Sequence, residues 1–231
     1  MKLRFCMLVF GALASATLGF SQVAFDNLFQ VGYASNLING GDAVINITNT
    51  GGISSTLLTP GQTDGTAQNN INGSQCFNLY VFAADEQEVA CCSCLVTPNA
   101  LWSASVKTAL LNSTLTPSFP NEVVIKLITS IPIVGTGGIQ TCNPGALLIT
   151  GGGAPGDING SPLAWFTTSH GFPTATGPKF VQTESPFMSS TLHPPEATRD
   201  VQECQFLQIL GSGQFGICKG CSNVGLGASA E

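Results

Sequence analysis

Cysteine content is the feature of this 231-residue chain that most constrains its fold. Three cysteines fall within four positions of the segment EVACCSCLVTPNAL (88–101), and the number of cysteines after residue 21 is even. These cysteines are Cys76, Cys91, Cys92, Cys94, Cys142, Cys204, Cys218 and Cys221. In an oxidising compartment an even set of cysteines predicts a framework of disulfides, whose pairing the sequence leaves open.

Export to such a compartment is predicted by the N-terminal segment MKLRFCMLVFGALASATLGFSQ. Lys2 and Arg4 precede an apolar run over residues 6–20, and small residues follow, which is the order found in a secretory signal peptide. The run is shorter than the about 20 apolar residues of a transmembrane helix. We therefore expect residues 1–21 to be a signal peptide. The mature chain, 22–231, would be extracellular or periplasmic, with no membrane association after cleavage.

The composition indicates a surface made mainly of neutral polar groups. Only 9% of the residues are charged, against roughly 25% in an average soluble domain, and the formal net charge is −6 at pH 7. Lysines and arginines beyond the leader are scattered singly, whereas nucleic-acid binding depends on clusters of them. The sequence therefore argues against nucleic acid as a partner.

Short strand patterns, separated by glycine, proline and asparagine, predict the fold class. Such patterns occur at 42–52, 76–96 (two strands around a turn), 122–134 and 162–170. In the first of them, Ile45 and Ile47 fall on one side of a strand that we expect to be half-buried. We predict a mainly all-β fold: an antiparallel immunoglobulin-like β-sandwich, stapled by disulfides, with one C-terminal helix. A single domain is expected over 22–231, with a glycine-rich excursion at 134–162.

The C-terminal helix is predicted over 193–213. Pro195 suits the first helical position, and acidic residues in the first turns suit the positive end of the helix dipole. Residues at helical spacing on one face are Ala197, Val201, Cys204 and Leu207. The stretch FLQIL (206–210) is apolar on several sides, so we expect the rest of the protein to cover it. A turn or two of helix is also predicted at 105–113.

Strand alternation assigns the cysteines of the predicted hairpin to faces. For a hairpin centred near Asp85, Cys91 shares the apolar face of Phe77, Leu79 and Val81 and points into the core. Cys76, Cys92 and Cys94 would share the opposite face, which the C-terminal segment 204–221 would cover.

A metal site is the main alternative to disulfides. Cys91 and Cys94 form one CxxC unit and Cys218 and Cys221 another, and two such units can hold zinc. Export, the wide gap between the units and the further cysteines favour disulfides. The GxGxxG match at 211–216 ends a predicted helix instead of opening one, which argues against a dinucleotide site. We expect no metal and no cofactor.

Catalytic signals are weak. The titratable candidates are His170, His193, Asp157, Asp85, Glu86 and Glu88. Both histidines have the sequence context of turns, no G-x-S-x-G elbow is present, and the three hairpin carboxylates fit a solvated turn. The sequence favours a protein without catalytic residues.

Four segments resemble a group of secreted, cysteine-rich proteins from soil bacteria of the acidobacterial type. The segments are CCSCLVTPNAL (91–101), LAWFTTSHGFP (163–173), ESPFMSSTL (184–192) and FGICKGC (215–221). The resemblance implies export and a shared cysteine framework over about 42–221, and it transfers no catalytic residue.

Two functional hypotheses follow from these features. The first is a secreted, non-enzymatic structural protein, a subunit of a surface, matrix or fibre, with self-association or a cell-surface or matrix polysaccharide as its partner. The alternative is a carbohydrate-binding module or hydrolase, with Trp102, Trp165, Tyr80 and the hairpin carboxylates as candidate residues. Apolar strand edges able to pair between subunits favour the first hypothesis, and exposed coplanar aromatic rings favour the second.

Overall fold

The computed structural model describes residues 28–38, 41–52, 73–112, 114, 118–134, 140–148, 156, 158–160, 162–177 and 179–210. The predicted signal peptide (1–21), the GxGxxG match, Asp157, Cys218 and Cys221 lie outside these residues.

The described residues form short strands and one long helix. The strands are β1 (Phe29–Ala34), β2 (Asp42–Asn49), β3 (Gln75–Ala83), β4 (Glu88–Val96), β5 (Leu101–Ser105), β6 (Val123–Ser130), β7 (Ile133–Val134), β8 (Gln140–Thr141), β9 (Pro162–Phe172), β10 (Lys179–Pro186) and β11 (Met188–Ser189). A π-helical turn spans Val106–Leu110, a 3-10 turn spans Pro144–Ala146, and helix α1 spans Pro194–Leu210. β8 and the 3-10 turn lie within the predicted excursion.

Two antiparallel sheets pack face to face. One has the strand order β11-β1-β6-β3-β4 and the other the order β10-β9-β2-β5, while β7 and β8 form a separate pair. The predicted antiparallel sandwich with a C-terminal helix is confirmed. The immunoglobulin-like strand order is not confirmed, since β1 and β2 lie in different sheets, whereas the first two strands of an immunoglobulin domain share one.

The main core lies between the two sheets. Ile45 and Ile47 of β2, predicted to share the buried side of their strand, are completely buried against Phe77 and Leu79 of β3 and their neighbours. Burial of these side chains supplies the main stabilisation of the sandwich, because each apolar side chain removed from water contributes about 1.5–3 kcal/mol.

Gly32 allows the two sheets to approach closely. A Cβ at this position would lie 2.4 Å from the ring of Phe166 and 2.7 Å from the ring of Phe187. Those two rings stack with their centroids 4.5 Å apart. A side chain on Gly32 would therefore have to displace a stacked pair of buried rings.

A β-bulge reverses the predicted faces of the three cysteines of β4. Val81 pairs with Ala90 and Phe82 with Glu88, so Val89 is an extra residue without a partner in the register. Beyond the bulge, Leu79 lies opposite Cys92 and Tyr80 opposite Cys91.

Cys92 and Cys94 consequently face the main core, and Cys91 faces the outer side of the sheet. Cys91 and Cys92 do lie on opposite faces, as predicted, but each lies on the face that was predicted for the other. Cys76 lies on the outer side of the sheet, as predicted, but its partner Leu95 shows that it shares this face with Cys91 and not with Cys92 and Cys94. The prediction assumed a hairpin without a bulge. One extra residue in β4 moves every later side chain of that strand to the opposite face of the sheet.

Helix α1 covers part of the outer side of the five-stranded sheet, a surface we call the helix-covered face. It includes Tyr80, Phe82, Cys91 and Ile128, which pack with Cys204 and Leu207 of α1. The predicted buried stripe is right, since Ala197, Cys204 and Leu207 are buried and Val201 is half-buried.

The prediction that FLQIL would be covered is wrong. Phe206 is 59% exposed and Ile209 75% exposed. A helix lying on a sheet buries one stripe only, and these two residues lie away from the stripe that holds Cys204 and Leu207.

Candidate functional site

The β9–β10 hairpin extends beyond the four-stranded sheet. β2 pairs with residues 162–169 of β9, whereas β10 pairs with residues 165–172. His170, Gly171 and Phe172 therefore have only β10 as a described partner strand. All eight residues of β10 are exposed.

β10 is the edge strand of its sheet. No other described strand pairs with its outer side, and it carries the apolar side chains of Phe180 and Val181, which are 55% and 51% exposed. The ring of Phe180 lies over Gly171, where a Cβ would be 3.1 Å from the ring. An edge strand of this kind presents a row of backbone donors and acceptors to a further strand.

A cleft of about 340 Å³ lies beside the turn end of this hairpin. It is lined by Asn36, Ile38, Gly41, Asn121, His170 and Gly171. Nδ1 of His170 lies 2.9 Å from Nδ2 of Asn36, and Nε2 lies 2.8 Å from Oγ1 of Thr183. With the Asn36 amide donating to Nδ1, a neutral imidazole carries its hydrogen on Nε2 and donates it to Thr183.

Close contacts hold the described residues of the loop after β1 that line the cleft. Asn36 has a positive φ of 61°, and a Cβ on Gly41 would lie 1.9 Å from the carbonyl oxygen of Asn36. The backbone N–H of Leu37 donates to the carbonyl of Asn121 over 3.0 Å. The described lining of the cleft carries amide, imidazole and apolar groups and no charged side chain.

The predicted catalytic candidates are not gathered in one place. His170 lies in the cleft, His193 is exposed before α1, and Asp85 and Glu86 are exposed in the β3–β4 turn. Glu88, predicted as a solvated turn residue, is buried beneath α1, so that assignment is wrong. None of the described carboxylates lines the cleft with His170.

The predicted aromatic candidates do not form a binding platform. Trp102 is 4% exposed and Tyr80 is completely buried, with its hydroxyl donating to the carbonyl of Pro144 over 2.7 Å. Trp165 is half-buried. The two buried rings are part of the cores, so they are excluded as a surface for stacking sugar rings.

A charged cluster lies on the helix-covered face. The Nζ of Lys126, on β6, contacts the carboxylate of Glu196 and lies 2.8 Å from Oδ1 of Asp200, both on α1. It also lies 4.2 Å from the ring centroid of Phe82. Asp200 is completely buried, and burial raises the pKa of its carboxyl although Lys126 acts in the opposite direction.

Glu88 is the second buried carboxyl of this cluster. Glu88 is only 9% exposed, and neither of its carboxylate oxygens has a hydrogen-bond partner among the described residues. Burial, followed by the charges of Asp200 and Glu203, raises the pKa of Glu88 from 4.5 to about 9, while Lys126 and Arg199 lower it less. At neutral pH the Glu88 carboxyl therefore holds its proton.

A disulfide between Cys91 of β4 and Cys204 of α1 joins the two sides of this cluster, with an S–S distance of 2.05 Å. One carboxylate oxygen of Glu88 lies within 4.8 Å of both sulfurs. Because these sulfurs are bonded to each other, they are not thiolate ligands, and the three residues do not form a metal site in the oxidised protein.

The remaining described cysteines also form disulfides. Cys76 and Cys142 are joined to each other, with their Cα atoms 5.5 Å apart. Cys92 and Cys94 each take part in a disulfide as well. The predicted disulfide framework is thus present at every described cysteine, and Cys218 and Cys221 lie outside the described residues.

The fold and its cross-links define a class of protein: an antiparallel β-sandwich with a helix tied to one sheet by a disulfide. Neither a protein-family model nor a curated protein nor a solved structure matches the chain. Within the described ranges, no helix is long and apolar enough to cross a membrane.

Sequence reasoning missed the charged cluster, although one signal was present. Asp200 falls on the predicted apolar stripe of α1, between Ala197 and Cys204, where a carboxylate needs a buried partner. Lys126 is the single charged residue in the strand pattern VVIKLITS (123–130). Together these residues could have predicted an ion pair between the helix and the sheet.

Proposed function

We propose that this protein is an exported, non-enzymatic subunit of an extracellular surface, matrix or fibre, and that it associates with further copies of itself through β10. The observation that carries the proposal is an eight-residue edge strand exposed along its whole length.

Proteins usually protect such edges with charges, prolines, bulges or a covering element. In β10 the lysine and the proline lie at the two ends, Lys179 and Pro186, and the residues from Phe180 to Thr183 carry no charge. The middle of the edge is therefore open to a second strand.

The other sheet shows how this protein covers an edge. β4 is the terminal strand of the five-stranded sheet, yet seven of its nine residues are buried. The contrast with β10 supports a role for the exposed edge.

A second copy of β10 would pair antiparallel about a twofold axis perpendicular to the sheet, which joins two four-stranded sheets into one. This contact by itself closes a dimer, so dimerisation is the step to test.

Light scattering on the purified mature chain, over a range of concentrations, measures this association. We expect a reversible dimer that Val181→Lys weakens at least tenfold, because the lysine places a charge in the middle of the edge. Ile209→Lys is the matched control, since Ile209 is also apolar and exposed but lies on α1. A wild-type chain that stays monomeric, or a dimer insensitive to Val181→Lys, would contradict the proposal.

A second candidate function is binding of a neutral polysaccharide in the cleft. The amides of Asn36 and Asn121 and the imidazole of His170 are groups that hydrogen-bond hydroxyls, and no described lining residue is charged. Calorimetric titration with soluble oligosaccharides tests this idea. Asn36→Gly removes the amide and retains the positive φ, so a binding signal unchanged by this substitution would rule out the cleft.

A further inference from the structure

We propose that the interface between α1 and the five-stranded sheet binds one proton at Glu88, and that docking of α1 is therefore strongest in acid and weakens as the pH rises. The inference is independent of the proposed assembly through β10.

The geometry of Glu88 sets up this coupling. Within the part of the chain that the structure describes, both carboxylate oxygens are buried without a hydrogen-bond partner, and the side chain lies beside the disulfide that joins β4 to α1. An ionised carboxylate in this position would lose its hydration without gaining a partner, which is costly. A protonated carboxyl avoids most of that cost.

The surrounding charges do not neutralise an ionised Glu88. Among the described residues, the titratable and charged groups packed around it are Lys126 of β6, Glu196, Arg199, Asp200 and Glu203 of α1, and the buried Tyr80 of β3. Lys126 already contacts Glu196 and Asp200, and Arg199 pairs with Glu203 over 2.7 Å. Both cations are thus matched before Glu88 is counted, and an ionised Glu88 would add an uncompensated negative charge.

The direction of the pH effect follows from the shift of the Glu88 pKa from 4.5 to about 9. Its stabilising contribution is complete below about pH 4.5 and is lost as the pH rises through the folded-state pKa. Between pH 4.5 and about pH 9, the unfolding equilibrium constant should increase by at most about tenfold per pH unit. Glu196 acts in the opposite sense, because its hydrogen bond with Lys126 lowers its pKa, but only at acid pH.

The test compares wild type with Glu88→Gln, which has the shape of the neutral acid and cannot ionise. Denaturant unfolding should give similar stabilities near pH 5, with wild type falling below Glu88→Gln as the pH rises toward 9. Glu86→Gln, in the same hairpin but exposed, is the control and should keep the wild-type profile. A Glu88→Gln variant with the same pH slope as wild type would overturn the proposal.

A second measurement needs only the wild-type chain. Calorimetric unfolding at pH 7 in buffers of different ionisation enthalpy should show release of about one proton, because the unfolded carboxyl ionises. Release of no proton would contradict the inference. So would stabilisation by added Ca²⁺ at pH 8 that disappears in Glu88→Gln, since a cation would then neutralise the carboxylate instead of a proton.

Amide hydrogen exchange tests whether the pH-dependent loss of stability occurs at α1. Amide hydrogen exchange in residues 194–210 should accelerate between pH 5 and pH 9 more than the intrinsic chemical exchange rate does, and this excess should vanish in Glu88→Gln. An excess spread evenly over both sheets would show that the proton does not act on the helix.

Discussion

The helix-covered face and the β9–β10 hairpin lie on different sheets and differ in the exposure of their polar groups. Beneath α1, Glu88, Lys126 and Asp200 are brought together in a buried setting. A disulfide joins the helix to the sheet beside them. On β10 every residue is exposed, and the residues from Phe180 to Thr183 carry no charge. In the first region a buried charge must be paired or, at Glu88, neutralised by a proton, whereas the second region presents unpaired backbone groups to its surroundings.

This difference predicts where a given substitution matters. Removing a partner beneath α1 leaves a buried group unsatisfied, which costs more than the interaction itself contributed. Removing a side chain on β10 leaves a group that water can solvate. Paired substitutions, one in each region, measure the contrast directly.

The largest effect is expected from breaking the disulfide that pins α1. Replacing Cys91 and Cys204 together by serine should lower the free energy of unfolding by about 2 to 5 kcal/mol, measured by denaturant titration. Trypsin should then cleave after Arg199 while the sheets still protect Lys126.

Replacing Cys76 and Cys142 together by serine is the control for that cleavage. It also removes a disulfide, but should leave Arg199 protected, since Cys142 lies outside α1. If both double variants expose Arg199 equally, the Cys91–Cys204 disulfide has no specific role in holding the helix.

The next effect is expected at the ion pair. Lys126→Met should cost about 3 kcal/mol at pH 7, because it leaves Asp200 buried without its cation. Lys179→Met makes the same change on exposed β10 and should stay within about 0.5 kcal/mol of wild type. Equal losses at the two positions, measured by thermal unfolding, would remove the contrast between the regions.

The smallest difference in stability is expected between alanine substitutions at two glycines. Gly32→Ala should cost about 1 to 3 kcal/mol, because the added methyl group overpacks the core against Phe166 and Phe187. Gly171→Ala should change stability by less than about 0.5 kcal/mol, because the exposed ring of Phe180 can move into solvent. Denaturant midpoints that shift alike for both variants would show that the core between the sheets tolerates the methyl group.

The elements that the sequence predicted well are those defined by local patterns. The stripe of Ala197, Cys204 and Leu207 was found because helical spacing alone determines which residues share a face. Ile45 and Ile47 were found by strand alternation for the same reason. Export and partners stay predictions, since they depend on the leader and on other molecules.

The bulge at Val89 could not be predicted in this way. A bulge adds one residue to one strand of a pair, and the local sequence on either side keeps the same alternation. Whether the extra residue is accommodated depends on how both sheets and α1 pack on the hairpin. For that reason the faces of Cys91, Cys92 and Cys94 were predicted in reverse.

The sequence by itself determined an antiparallel β-protein with an even set of cysteines, a C-terminal helix of known face and a surface of low charge. These properties depend on composition and on short-range periodicity. Only the tertiary structure decided that Glu88 is a buried acid and not a turn residue, because the helix that buries it is attached through Cys204, 113 residues after Cys91. Burial by so distant a segment changes the protonation of a side chain that local sequence assigns to solvent.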